Sequence, residues 1–162
     1  MKLTAGIGYD IHALENGRRL VLGGVEIPSD RGPVGHSDAD VLLHAVCDAL
    51  LGAAGEGDIG RHFPDTDSRY KGISSLLLLE AVVERIRKRG FEIVHLDTII
   101  ITESPRLAPY MDRIRSSIAK GAGIPESSVN VKAKTNEGLG PIGRGDGMAA
   151  QAIASLRMEG GT

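Results

Sequence analysis

The chain has 162 residues, of which 41% are hydrophobic and 25% charged, a composition typical of one folded domain and not of a disordered segment. Its net charge of −2 and its 3% of aromatic residues argue against a nucleic-acid-binding protein, and its apolar runs are too short to cross a membrane. The length predicts one domain over 1–162. A single cysteine, Cys47, excludes an intrachain disulfide and a cysteine-based zinc site, so we expect the protein in the reducing cytoplasm.

The first half of the chain is predicted to form strands followed by a buried helix. The predicted elements are a strand over 3–13, two short strands over 19–27 that turn at Gly23-Gly24, a loop over 28–36 and a helix over 38–54. Ser37 and Asp40 form a start signal for this helix. Because the helix is apolar on nearly all sides, we expect it to be deeply buried.

The second half is predicted to continue with interleaved helices and strands. The predicted elements are a loop over 55–72, a helix over 73–89, a strand over 91–102, a helix over 106–120 opened by Pro105, a strand over 129–135 and a glycine-rich loop over 136–147. The pattern over 148–158 fits a strand or a helix. Together the elements predict an α+β sandwich with one sheet and helices on one side of it.

A metal site is indicated by an acid and two histidines. Asp10 and His12 are two residues apart in the first strand, so their side chains point to the same face. His44, in the middle of the apolar helix, is the best candidate for a third ligand of a zinc-type ion. Asp40 and Asp48 lie four residues before and after His44, and we expect one of them to hold its ring. The alternative is an Asp10–His12 surface pair and a hydrogen-bonded core histidine.

Two loops carry polar residues that suit a phosphorylated or hydroxylated ligand. The segment 36–38, His-Ser-Asp, precedes the helix, where backbone N–H groups favour an anion; plain capping by Ser37 is the alternative. The segment 57–67 combines acids with glycines, which suits a polyol or a divalent cation. A solvated turn is the alternative for this segment.

A third loop, over 132–147, combines lysines, hydroxyls and glycines. These residues suit a phosphate, with Arg144 as a fixed cation and Glu137 as the ligand of a second metal ion. Residues 138–143 also match the dinucleotide-binding fingerprint, but Pro141 lies inside the match and too few residues follow for a β-α-β unit. We therefore reject a dinucleotide site.

Over nearly its whole length the chain resembles the 2-C-methyl-D-erythritol 2,4-cyclodiphosphate synthases, enzymes of the non-mevalonate isoprenoid pathway. The resemblance is carried by the motifs Gly6-x-Gly8-x-Asp10-x-His12, His36-Ser37-Asp38-x-Asp40-Val41-x-x-His44, Gly57-Asp58-Ile59-Gly60-x-x-Phe63-Pro64-Asp65-Thr66-Asp67 and Val129–Gly147. It implies an α+β fold of the ferredoxin-like kind and a homotrimer with sites between neighbouring subunits. It also implies release of CMP from 4-diphosphocytidyl-2-C-methyl-D-erythritol 2-phosphate as the cyclic diphosphate closes, without a nucleic-acid or membrane partner.

The resemblance also implies the roles of individual residues. Asp10, His12 and His44 correspond to the ligands of Zn²⁺ (or Mn²⁺ or Co²⁺), and Glu137 to the ligand of a second ion, Mg²⁺ or Mn²⁺. His36 and Thr135 correspond to residues that stabilise the transition state. The implied substrate contacts are Asp10, Ile11, His12, His36, Ser37, Asp58, Ile59, Gly60, Phe63, Pro64, Asp65, Thr66, Asp67, Thr102, Glu103, Ser104, Pro105, Arg106, Leu107, Ala108, Ala133, Lys134, Thr135, Asn136, Glu137, Pro141 and Arg144.

Two positions depart from the family pattern. Lys134-Thr135-Asn136 replaces a frequent Thr-Thr-Thr, which keeps Thr135 and changes the neighbouring cytidine contacts. Pro141 replaces a Phe of a central trimer cavity that is said to hold isoprenoid diphosphates, so we do not expect that binding here. Two other functions are weighed: a metal-dependent phosphohydrolase, and a trimer that binds nucleotides or isoprenoid diphosphates without catalysis.

Overall fold

In the structure, a computed structural model that describes residues 1–159, helices pack against a five-stranded sheet. The strands are β1 (Lys2–Asn16), β2 (Leu20–Leu22), β3 (Val25–Ile27), β4 (Arg31–Pro33), β5 (Phe91–Ile101), β6 (Val129–Lys134) and β7 (Gly147–Met158). The α-helices are α1 (Val41–Ala54), α2 (Ile59–His62), α3 (Ser75–Lys88), α4 (Met111–Ala122) and α5 (Gly140–Gly143). Single-turn 3-10 helices cover Ser68–Tyr70, Ala108–Tyr110 and Glu126–Ser128.

The sheet has the strand order β4-β1-β7-β5-β6, and β2 and β3 form a separate hairpin. Strand β7 is antiparallel to both β1 and β5, whereas β5 and β6 are parallel. Parallel neighbours need a long crossover, which α4 provides between β5 and β6. The α+β class with one main sheet is confirmed. The expected ferredoxin-like topology, β-α-β-β-α-β, is wrong, because the long elements here run β-α-α-β-α-β-β.

Glycines on β1 let α1 lie unusually close to the sheet. A Cβ added at Gly8 would stand 1.9 Å from the carbonyl oxygen of Ala45, and one at Gly6 would stand 2.1 Å from that of Ala49. Only residues without side chains fit at these two positions. The close approach brings the middle of α1 next to the middle of β1.

Helix α1 is buried on nearly all sides, as its composition predicts. It begins at Val41, later than predicted, because the carboxylate of Asp40 accepts the backbone N–H of Leu43 and caps the first turn. It ends at Ala54, where Gly55 adopts the left-handed conformation with φ of 71°. The caps therefore fix both ends of the helix that carries His44.

Other boundaries differ from the predicted ones mainly in the loops. The predicted loop 28–36 contains the short edge strand β4, and the loops 55–72 and 136–147 contain the one-turn helices α2 and α5. The predicted helix 106–120 begins only at Met111, after a 3-10 turn. The ambiguous segment 148–158 is a strand, because its even-numbered residues are buried in the core. Elements of three or four residues are too short for periodicity to indicate them.

The two faces of the sheet have opposite surroundings. The even-numbered residues of β1 from Thr4 to His12 are wholly or partly buried, whereas its odd-numbered residues are exposed. The exposed side chains include Leu3, Ile7 and Ile11 of β1 and Ile153 of β7. Among residues 1–159, no helix is long and apolar enough to span a lipid bilayer.

Candidate metal centre and its cavity

Asp10, His12 and His44 come together where β1 passes α1. One ligand atom of each lies within 4.8 Å of the others. The Asp10 Oδ2 atom is 2.8 Å from His12 Nε2 and 2.9 Å from His44 Nδ1, and the two nitrogens are 3.4 Å apart. The alternation of β1 puts Asp10 and His12 on the helix side, as predicted, and α1 supplies the third group.

Hydrogen bonds on the far side of each ring favour the tautomers that would present a lone pair to a cation next to Asp10. His12 Nδ1 lies 2.7 Å from the carbonyl oxygen of Val34, which can only accept, so Nδ1 carries a proton and Nε2 is the nitrogen that would bind a cation. His44 Nε2 lies 2.9 Å from the hydroxyl of Ser37 and 3.1 Å from that of Ser75. A proton held on this Nε2 leaves the lone pair of Nδ1 for a cation, in place of the hydrogen bond that Nδ1 makes to Asp10 when no cation is present.

This donor set fits a divalent cation such as zinc. Two imidazoles and one carboxylate leave an open coordination position, the arrangement of a catalytic zinc site. Ligand atoms about 2.0 Å from a tetrahedral ion are about 3.3 Å apart. The separation of 3.4 Å between the ring nitrogens of His12 and His44 is close to that spacing.

The electrostatics of the cluster keep the acid ionised. Burial alone would raise the pKa of Asp10, but hydrogen bonds and charges of His12 and His44 outweigh it and lower this pKa to about 2. The hydrogen bond to Asp10 raises the pKa of His12. Where no cation is bound, a proton on the His12 ring balances the carboxylate, so a metal ion has to displace that proton.

The expectation that Asp40 or Asp48 holds the ring of His44 is wrong. Asp40 faces the β2–β3 hairpin instead, where it accepts the backbone N–H groups of Gly23 and Gly24 at 3.0 and 2.7 Å. Asp48 accepts the N–H of Ile59 at 2.7 Å. Helical spacing places these residues on one face, but it does not predict which backbone N–H groups from other segments donate to each carboxylate.

A cavity of about 560 Å³ lies beside the three ligands. It is lined by two of the ligands together with residues of two loops that the sequence analysis had selected. These residues are His12, His36, Ser37, His44, Ile59, Gly60, Phe63, Pro64, Asp65 and Thr66. Thus the segments 36–37 and 59–66 meet the metal cluster within one chain.

Three residues that are predicted to contact the substrate are not part of the cavity lining. Ile11 points to the exposed side of β1, away from the ligands. Asp58 caps α2 by accepting the N–H of Arg61, and Asp67 pairs with the guanidinium of Arg69.

Most of the remaining predicted contacts form a second group at the ends of β5 and β6, whereas Arg144 follows α5 and pairs with Asp146 just before β7. The N–H of Thr102 donates to the carbonyl of Lys134 at 3.0 Å, and the Glu103 carboxylate accepts the N–H of Asn136 at 2.6 Å. The Thr135 hydroxyl donates to Glu137 at 3.0 Å. These contacts hold the two segments together as one surface.

The second group stands apart from the cavity. Strand register aligns Ile11 with Ala149 and Ala149 with Ile101, so the end of β5 lies two strand spacings, about 10 Å, from β1. In the described part of the chain, the cavity lining does not include residues 102–108 or 133–144. Leu107, a predicted contact, has its side chain in the hydrophobic core.

Comparison with known proteins gives one consistent family. The model of the YgbB family matches residues 3–157. The chain is 60% identical over 158 residues to the 2-C-methyl-D-erythritol 2,4-cyclodiphosphate synthase of Syntrophobacter fumaroxidans, and the match covers 98% of this chain and 99% of that protein.

Solved structures are similar to this chain over nearly its whole length. A 2C-methyl-D-erythritol-2,4-cyclodiphosphate synthase described as a CDP-bound form superimposes with a TM-score of 0.88 at 36% identity, covering 94% of this chain and 99% of that one. The CDP complex of IspF from Plasmodium falciparum gives 0.85 at 32% identity, covering 98% and 97%. The likeness therefore extends to the whole fold.

Proposed function

The chain belongs to the YgbB family, and on this premise we infer that it is an enzyme, a 2-C-methyl-D-erythritol 2,4-cyclodiphosphate synthase of non-mevalonate isoprenoid biosynthesis. The reaction takes 4-diphosphocytidyl-2-C-methyl-D-erythritol 2-phosphate to the cyclic diphosphate and CMP. The observation that carries this function is the joining of Asp10, His12 and His44 beside a cavity in a chain of this family.

The substrate supplies its own nucleophile. An oxygen of the 2-phosphate attacks the phosphorus of the diphosphate that is bonded to the erythritol, and the bond from that phosphorus to the oxygen of CMP breaks. The phosphate already carries close to two negative charges at neutral pH, so no general base is needed. The barrier is that one anion attacks another and that a flexible polyol must fold on itself.

The protein lowers this barrier by neutralising the phosphate charge and by fixing the orientation of the substrate. A divalent cation, when bound, neutralises phosphate charge and orients the oxygens. Asp10, His12 and His44 hold that ion, for which we propose Zn²⁺, with Mn²⁺ or Co²⁺ as substitutes. His36 and Ser37, which line the cavity, supply hydrogen bonds to the phosphates, and residues 58–67 hold the erythritol.

We assign the second group to the cytidine end of the substrate. Residues 102–108, with Ala133 and Lys134, form the cytidine pocket, and Arg144 contacts a phosphate. Thr135 stabilises the transition state, and Glu137, beside its hydroxyl, holds a second ion, Mg²⁺ or Mn²⁺, with the diphosphate.

A homotrimer brings the two groups together. The separation of the cytidine group from the cavity of the same chain supports a site shared between neighbouring subunits. The exposed apolar side chains of β1 and β7 supply a surface that another copy would cover. The buried Cys47 suits a reducing compartment, and we place the enzyme in the cytoplasm.

The test is incubation with the cytidylylated substrate and Mg²⁺ or Mn²⁺, followed by ³¹P NMR. We expect CMP and a cyclic diphosphate in equal amounts. Free phosphate without the ring would favour a phosphohydrolase, and binding without CMP release would favour a non-catalytic nucleotide-binding trimer.

A further inference from the structure

Behind His44 runs a chain of hydrogen bonds that the proposed reaction does not use. His44 Nε2 lies 3.1 Å from Ser75 Oγ, at the first residue of α3. The Ser75 hydroxyl is 2.5 Å from Asp38 Oδ1, and the Ser75 N–H donates to Asp38 Oδ2 at 2.9 Å. The side chain of Ser75 is wholly buried, so water does not compete for it.

The chemistry of the three groups fixes the direction of these hydrogen bonds. An ionised carboxylate only accepts, so the Ser75 hydroxyl must donate to Asp38. The lone pairs of the Ser75 oxygen are then left for the N–H of His44 Nε2. In the metal-free chain Nδ1 donates to Asp10 at 2.9 Å, and a proton kept on Nε2 is what leaves the Nδ1 lone pair for a cation that takes the place of this hydrogen bond.

We propose that Asp38 and Ser75 are positioning residues for His44, which fix its tautomer and ring orientation so that Nδ1 binds the cation. The carboxylate behind the hydroxyl also makes the ring a better electron donor. This inference rests on the proposed metal site, but it concerns two residues outside the ligand set.

Ser37 is the competing partner for the same nitrogen. Its hydroxyl lies 2.9 Å from His44 Nε2, and it also accepts the N–H of Ala39 at 3.2 Å. Ser37 lines the cavity, whereas Ser75 is buried and has the Asp38 carboxylate behind it. The Asp38–Ser75 pair is thus the one anchored in the protein interior, and Ser37 is the one open to a ligand.

The experiment measures zinc affinity of the metal-free full-length chain by competition with a chromophoric chelator, without substrate. We expect Ser75→Ala and Asp38→Asn each to weaken zinc binding by about 10- to 100-fold, the usual effect of removing a partner of a metal-bound histidine. Ser75→Thr, which keeps the hydroxyl, should restore most of the affinity. Ser74→Ala is the matched control, because Ser74 is exposed and makes no capping hydrogen bond.

A cobalt-loaded sample and a melting curve separate positioning from folding. The visible absorption bands of bound Co²⁺ should shift in Ser75→Ala, since the ring is reoriented, and thermal unfolding of the metal-free protein shows whether the variant is folded. Should Ser75→Ala not fold, Ser75→Cys, of similar size and a weaker acceptor, replaces it.

Several outcomes would overturn the inference. Equal zinc affinity in the wild type, Ser75→Ala and Asp38→Asn would overturn this inference but not the proposed metal site. A loss of affinity in Ser37→Ala with none in Ser75→Ala would do the same. A fall only in melting temperature, with affinity and cobalt spectrum unchanged, would make Ser75 merely structural. A wild type that binds no zinc would instead overturn the proposed metal site, and this inference with it.

Discussion

The two faces of β1 differ in a way that reverses the usual amphipathic strand. The even-numbered face, toward α1, carries glycines and the candidate metal ligands Asp10 and His12, whereas the odd-numbered face exposes large apolar side chains such as Ile7 and Ile11. Strands with one solvated face usually bury the apolar side and expose the polar one. The covered face is therefore completed by this chain's own helices, whereas the open face has the composition of a surface that another molecule covers.

The largest effect is expected at Gly8 on the covered face. Gly8→Ala places a Cβ 1.9 Å from the Ala45 carbonyl oxygen, and we expect the free energy of unfolding to fall by about 3 kcal/mol or more. Gly52→Ala is the control, because its Cβ would meet nothing nearer than 3.9 Å and helix propensity improves. Urea denaturation measures both, and equal stability of the two variants would contradict the close packing of α1 on β1.

A charged residue in place of Ile7, which is 71% exposed in this chain, tests whether the open face is a subunit interface. Ile7→Asp should leave each chain folded and able to bind zinc, but sedimentation velocity should show monomers and the cyclisation rate should fall at least about 100-fold as the shared site is lost. Lys88→Asp, at an exposed position of α3, should keep the assembly. An Ile7→Asp protein with wild-type mass and rate would show that this face is not the interface.

The pH dependence of zinc binding sharpens the description of the covered face. Because the hydrogen bond to Asp10 raises the pKa of His12 above 6.5, the metal-free ring stays protonated to a higher pH, and zinc must displace that proton. Zinc affinity should therefore increase as pH rises from about 6.5 through this pKa, by up to about tenfold per unit. Calorimetry in two buffers of different ionisation enthalpy should detect more than half a proton released at pH 6.5, since the pKa of His12 lies above that pH. Release of none would contradict the raised pKa.

The smallest effect is expected in the second group. Glu103→Ala removes the acceptor for the Asn136 N–H, so the loop of Thr135 and Glu137 should loosen and KM for the cytidylylated substrate should rise by about three- to tenfold. Glu103→Gln keeps an oxygen acceptor and should recover most of the affinity. An unchanged KM in both variants would mean that the hydrogen bond does not position this loop.

The sequence predicts much of the site but not its surroundings. Alternation in β1 places Asp10 and His12 on one face, and the apolar helix around His44 indicates burial, so the three are predictable as candidate ligands, although these patterns also allow a surface pair and a core histidine. Periodicity does not tell which face of β1 is covered, since the larger apolar residues lie on the open one. Nor does it identify Ser75, which lies 31 residues from His44 and makes its contact only through the packing of α3 beside α1.

The zinc content of the substrate-free protein tests the central claim most directly. Metal analysis after loading and desalting should give one zinc per chain in the wild type and close to none in His44→Ala, since two remaining ligands hold the ion weakly. His62→Ala, which removes an imidazole outside the cluster, should keep full occupancy. One tightly bound zinc per chain in His44→Ala would contradict a cation shared by these three side chains.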